Sequence, residues 1–505
     1  MVLDTSKSID PRHSRPFDVH RWSDHSEINS LVQTVFDALT NKEKSTIKGK
    51  SNNKGRASGK THLKVLLLDL YVAWREDPEL CIGLARGNGA YKVNSRYNAI
   101  FISPKIRAVA DLLIKLDFVD SIAGSYDRKN KGLGNHTSRL RASRKLHTLF
   151  QKLTIEPYDL SLNHNEECII LRTQDLGKSD FQTQTKTKSV EYDDNPQIKQ
   201  MRSDLTKYNK LLSRAYIDLP FLEDPFIERE LPNGNVQRVP INQSRKFVRR
   251  IFSRSNWEMN GRFYGGFWQQ IGKEFRKQIV IDGSPTIEVD YKGLHISILC
   301  AIKGKLDIGD PYDLGVIILP NTNLIEQRNL VKSLVLTALN AKSPKSAFAA
   351  FRSSQTSGSF TKKLSNKQLI DLLQAFIEKH PYLEDDLCSD KGIELMYLDS
   401  QITSYIINKF TNLNKPVLSV HDSYIVKSRD TELLKATMKE ATIKLVGYDL
   451  SAEQTGISYS QIHSWRDLDR DYYLDTFQTV LADYKRTTQY EDRYRRFKHS
   501  KRSTM

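Results

Sequence analysis

The period of hydrophobic and polar positions changes several times along the chain, and each change marks an element. Ile28, Leu31, Val32, Val35, Phe36 and Leu39 recur at helical spacing and predict a short helix. From Asn41 to Lys60 the run NKEKSTIKGKSNNKGRASGK contains a single acid and almost nothing apolar, which predicts a solvated loop. Helical spacing returns over His62 to Trp74 through Leu63, Val65, Leu66, Leu67, Leu68 and Leu70, with Asp69 as the one acid. A further helix from Pro104 to Leu116 opens on Ser103 and Pro104 as cap and first turn, and aligns Ile106, Val109, Ala110, Leu113 and Leu116 on one face. After it come Phe118 to Ile122, the basic turn DRKNKGLGN from Asp127 to Asn135, and Ser138 to Ala142. Helix, strand, Gly-rich basic turn, strand is the order that ends a winged helix, whose wing cations would meet phosphates; a small α/β domain with a solvated hairpin has the same pattern.

The second half alternates differently. Cys168 to Leu171 predicts a strand, and a polar Gln-Thr-Lys run to about Asp194 reads as linker. Asn195 and Pro196 then cap a helix whose stripe of Ile198, Met201, Leu205, Tyr208, Leu212 and Tyr216 suits a core. A hairpin is expected around Asn233-Gly234. Arg245, Lys246, Arg249, Arg250 and Arg254 interleave with Phe247, Val248, Ile251 and Phe252, which suits a nucleic-acid strand or a triphosphate, or else an exposed basic helix face. Two strand-like runs follow, TIEVDYKGLHISIL from Thr286 and PVLSVHDSYIV from Pro416, each interrupted by one acid, Asp290 and Asp422. A carboxylate closing a buried strand needs a positive partner, and two at neighbouring strand ends would share divalent cations.

Length and charge narrow the classes. At 505 residues two or three domains are expected, and a net charge of +17 on clustered Lys and Arg points first to nucleic acid. No apolar run reaches spanning length and no signal peptide opens the chain, so a cytoplasmic, nucleoid-associated protein is expected, with no membrane partner. Cys81, Cys168, Cys300 and Cys388 lie far apart with no CxxC pair, which argues against a zinc ribbon or a disulfide scaffold.

From Asn260 to Leu314 the sequence resembles the family A polymerases, right-hand-shaped enzymes whose palm and fingers are shared with single-subunit phage-type RNA polymerases. Gly261-Arg262 with Gln269-Gln270-Ile271 resembles the family's first signature, and Asp290-Tyr291 its motif A, with Lys292 in place of Ser. Arg328 and Lys332 match the Arg-x-x-x-Lys of motif B, on a helix expected from Asn323 to Asn340; a spacing of four puts both cations on one face. Where the family usually has Tyr, eight residues on, this chain has Asn340. Asp399 to Ile407 resembles the Gln-Gly-Thr-Ala-Ala helix through Gln401, and Val420-His421-Asp422-Ser423 resembles motif C. Ser423 stands where the DNA polymerases mostly have Glu and the RNA polymerases Ser, and His295 falls at the steric gate.

The resemblance implies an α+β right-hand palm and fingers preceded by a mainly helical, winged-helix-like region. The expected division is a flexible segment 1–60, a winged-helix-like domain 61–155, a linker and thumb-like region 156–255, a polymerase core 256–465 and a basic tail 466–505. It implies a template-directed nucleotidyltransferase, foremost a DNA polymerase without proofreading, since no acidic exonuclease motif precedes residue 240. Asp290, Asp422 and the Tyr291 carbonyl would hold two magnesium ions, with manganese as a substitute. Lys332 would protonate pyrophosphate; Arg328, His295 and Asn340 would meet the nucleotide, and Arg262, Gln270, Gln401 and His421 the primer-template DNA. An RNA polymerase or primase, favoured by Ser423, and a non-catalytic DNA-binding initiator or regulator are the rival readings. The missing exonuclease suggests a mobile-element or phage-related role.

Overall fold

The structure, a computed structural model, describes residues 9–47, 57–87, 89–125, 136–156, 160–162, 166–175, 186–230, 236–305, 309–320, 322–456 and 485–503. The fold is mixed α+β. Two compact units emerge: residues 1–167 with 242–244 and 496–505, and residues 168–241 with 245–495.

The first unit is built on helix Gly59–Glu76, whose Leu66, Leu67 and Tyr71 are fully buried. Its mixed sheet runs in the order Ser14–Pro16, Cys81–Leu84, Ser138–Ala142, Val119–Ile122, the last two pairing as an antiparallel hairpin after helix Lys105–Lys115. The basic turn expected as a wing, 127–135, lies outside the described residues, as does the turn at Asn233-Gly234. Asp69 is fully buried and takes Arg15 and Arg21, each at 2.8 Å, which offsets the cost of burying an ion.

The expected loop 41–60 is partly a helix instead, Asn41–Ile47. Its single acid explains this: the Thr40 amide donates to Glu43 Oε2 at 2.9 Å and the Glu43 amide to Thr40 Oγ1 at 3.3 Å, a capping box, while Ile47 is buried.

The second unit carries both predicted acid runs in one sheet, but the run from Pro416 forms two strands, with Asp422 in the turn between them and not on a strand. Its sheet runs Val417–Val420, Ser423–Lys427, Ser284–Tyr291, Val280–Ile281, Ile217–Asp218, with Ala452–Thr455 also on the Ser284–Tyr291 strand. Ser284–Tyr291 and Ser423–Lys427 are antiparallel, and Asp290 faces Ser423 across the ladder. Helices Gly392–Asn412 and Thr431–Val446 pack on this sheet. Gly293 adopts a φ of 55°, open to glycine at no steric cost, and turns the chain from strand into helix Leu294–Ile302 three residues after Asp290. The strand's last carboxylate is thereby left at a sheet end.

Two further expectations are corrected here. Arg249–Ser253 is a strand between Ile169–Asp175 and Asn256–Tyr264, not an exposed basic helix face, because its β-branched and aromatic neighbours suit a pleated, buried position. Part of the expected basic tail is ordered as helix Thr488–Ser503; Arg493 pairs at 3.1 Å with the buried Asp218. Among the described residues no helix is long and apolar enough to cross a membrane.

Candidate active site

The turn between Val417–Val420 and Ser423–Lys427 consists of His421 and Asp422, with His421 at a left-handed φ of 56°. Its partner strand ends at Asp290 and Tyr291, and the Tyr291 amide donates to the Asp422 carbonyl at 3.3 Å. Asp290 and Asp422 thus lie on adjoining strand ends. Asp290 Oδ1 is buried without a hydrogen-bond partner. Burial, then Asp422 and Glu288, push the Asp290 carboxyl up to about 7, against the opposing fields of Lys273 and Lys332. Among the described residues no three of His, Cys, Asp and Glu converge on a metal position. A pair of hard oxygen donors, one orphaned and both crowded by like charge, nevertheless suits magnesium, which takes one or two carboxylates and completes its shell from water and substrate phosphate.

Glu288, two residues before Asp290, was not singled out by its pattern, although strand alternation puts it on the Asp290 face. It accepts from Ser423 Oγ at 2.6 Å and from both Arg276 Nη2 at 2.9 Å and Nε at 3.2 Å. Ser423 therefore has an internal partner, which gives it a structural reason to be there.

Arg262 is committed inward. Its Nε donates to Asp399 Oδ2 at 2.6 Å and its Nη2 to His295 Nε2 at 3.0 Å. Asp399 is fully buried, and burial raises its carboxyl to about 6 despite Arg262. Arginine can only donate, so His295 Nε2 accepts, its proton sits on Nδ1, and Nε2 is not available to a sugar hydroxyl. Burial and the Arg262 charge hold His295 down at about 3. Its ring is expected to show no NMR titration between about pH 5 and 8; a midpoint in that window would overturn the arrangement.

On the helix that carries Gln401, expected at the template, it is Asp399 that meets this cluster. Two positions on a helix differ by about 200°, so Gln401 faces away. It lines a separate cavity of ≈ 300 Å³ together with Arg250, Trp257 and Tyr397. Asp399 was legible as the acid within the buried stripe Leu395, Asp399, Ile402, Ile406.

Helix Leu324–Leu339 starts from a capping box of Asn323 and Glu326. Arg328 and Lys332 both lie over the Tyr312 ring, at 5.6 and 5.9 Å, and Arg328 pairs with Asp310 at 2.8 Å. Lys332 is exposed, and its positive charge opposes the upward shift of the Asp290 carboxyl as the weakest of the influences on it. Asn340 is the C-cap, with its amide donated to Leu336 O at 2.7 Å, a helix-ending role. Gln270 is exposed, whereas Gln269 donates to Phe263 O at 3.0 Å and Ser419 O at 2.9 Å, holding the strand that leads into the Asp422 turn. The Tyr291 hydroxyl is buried on Met438 O at 2.8 Å, and the His421 ring meets Tyr264 edge-on at 6.0 Å.

No protein-family model matches the chain, and no curated protein matches it. Among solved structures it is similar to the POL domain of Pol1 from M. smegmatis in complex with DNA primer-template and dNTP, at a TM-score of 0.25 and 10% identity over 52% of this chain. The chain covers about half of that structure's length, 53%. So loose a likeness leaves the functional reading to the geometry of the site.

Proposed function

We propose that the chain is a template-directed nucleotidyltransferase, a family A-like DNA polymerase without proofreading. The observation that carries this reading is the pair Asp290 and Asp422 on adjoining ends of antiparallel strands, Asp290 carrying an orphaned oxygen and a carboxyl pushed up to about 7. Asp290 and Asp422 would hold magnesium. When bound there, magnesium supplies the positive charge needed by both a primer hydroxyl and a triphosphate.

The chain's own residues supply the rest. Lys332, exposed on the fingers-like helix, neutralises the triphosphate and hands a proton to pyrophosphate; Arg328 joins it by exchanging Asp310 for phosphate. His295 limits the sugar by bulk, since its Nε2 is already engaged. The first unit, with its hairpin after a basic helix, is the nucleic-acid anchor, in the manner of a winged helix.

The deciding experiment is primer extension with magnesium, run with dNTPs and NTPs on primed and unprimed templates. Extension on the primed template with dNTPs is expected. Product on the unprimed template would replace this reading with a primase or transcriptase, and tight DNA binding with no product would replace it with a non-catalytic initiator. Lys332→Ala is expected to lower kcat/KM about 100-fold, the size of a lost general acid, with unchanged primer-template affinity. An unchanged kcat/KM would remove Lys332 from the mechanism.

A further inference from the structure

We propose that Glu288 is a positioning residue of the metal site, its carboxylate clamping the Asp422 turn to the Asp290 strand through Ser423. This rests on the reading of Asp290 and Asp422 as a magnesium pair.

Three observations carry it. Glu288 is 5% exposed and its ion-pair partner Arg276 has a side chain only 15% exposed, so both charges are largely removed from water. An acid–arginine pair in such a place is often no more stabilising than packed apolar residues, so its position has to be explained by what it holds. What it holds is the residue after Asp422: Ser423 Oγ donates to Glu288 Oε1 at 2.6 Å and lies 3.2 Å from Val420 O, spanning both sides of the turn. Arg276 in turn fixes the carboxylate with two hydrogen bonds and donates to Ile271 O at 3.3 Å, so Glu288 has little rotational freedom. The backbone ladder alone sets Asp290 opposite Ser423; the clamp sets how far the turn can swing from it.

The test is a manganese titration followed by electron paramagnetic resonance on the full chain, with primer extension at saturating magnesium in parallel. Ser423→Ala removes the hydrogen bond and leaves the Arg276 pair intact; Glu288→Gln removes the charge. Each is expected to weaken manganese binding about 10-fold, the cost of losing a group that orients a ligand. The double variant should lose no more than either single one, and Ser423→Thr should restore binding. Asp290→Asn is the control for the underlying reading and should abolish binding. If it does so while Ser423→Ala and Glu288→Gln bind as the wild type does, the clamp is overturned and the metal pair stands. If Asp290→Asn binds normally, both fall. Ser423→Ala decides the matter alone should Glu288→Gln fail to fold for want of a partner to Arg276.

Discussion

Asp290→Asn is expected to abolish magnesium-dependent nucleotide incorporation and, in the metal-free protein, to raise stability at about pH 8. The two effects share one cause. In the folded chain burial, Asp422 and Glu288 push the Asp290 carboxyl from its ordinary 3.8 up to about 7. Between those values the native state binds more protons than the unfolded state, so the contribution of this group to stability falls as pH rises through the window. Above it the whole cost of the ion is present. Asparagine cannot ionise, and the variant is expected to be more stable than wild type by about 1–2 kcal/mol at about pH 8, below what the full shift implies because part of Asp290 faces water. The gap should narrow as pH falls through this window and close below 3.8, where the wild-type group is neutral in both states. Incorporation should fall roughly 1,000-fold or more, since several kcal/mol of charge stabilisation leave with the ligand. Magnesium should raise the unfolding midpoint of wild type and not of the variant. Retained incorporation, or a variant less stable at high pH, would sink the assignment of Asp290.

Arg262→Ala is expected to be the most destabilising single substitution at the site, at about 3–5 kcal/mol. Asp399 has no exposed surface, and its Oδ1 is already without a hydrogen bond, so Arg262 is what makes its charge tolerable. Removing the guanidinium strands a buried carboxylate and at the same time takes the donor from His295 Nε2. The double variant Arg262→Met, Asp399→Leu should recover much of the loss, because two apolar groups need no partner. Urea midpoints at constant slope would measure both. A double variant no better than Arg262→Ala would mean that the cost lies in packing and not in the stranded charge. Either result bears on the expectation that Arg262 contacts DNA, since a guanidinium holding Asp399 and His295 has fewer hydrogen bonds left for a phosphate.

The elements were legible where periodicity was strong. Helix Pro196–Arg214 begins where Asn195 and Pro196 said it would, with the Asn195 side chain capping Ile198 at 2.8 Å. The β-branched runs around Asp290 and Asp422 likewise marked strands, the second run supplying two of them, Val417–Val420 and Ser423–Lys427, on either side of Asp422. Reading failed where one residue outweighed composition. Glu43 turned part of a polar run into a helix by capping it, and Arg249 to Ser253 became a strand although the cations around it suggested an open face.

Sequence by itself determined which residues could not sit comfortably in an apolar setting: Asp290 and Asp422 each break a β-branched run, and Asp399 interrupts a helical stripe. Local pattern carries that information because period and burial are properties of neighbouring residues. Only the tertiary structure decided the partners. Arg262 meets Asp399 across 137 positions and Ser423 meets Glu288 across 135, separations at which no spacing rule operates. It also assigned Asp399 to the site and Gln401 to a different cavity, since a helix face acquires its role from what packs against it.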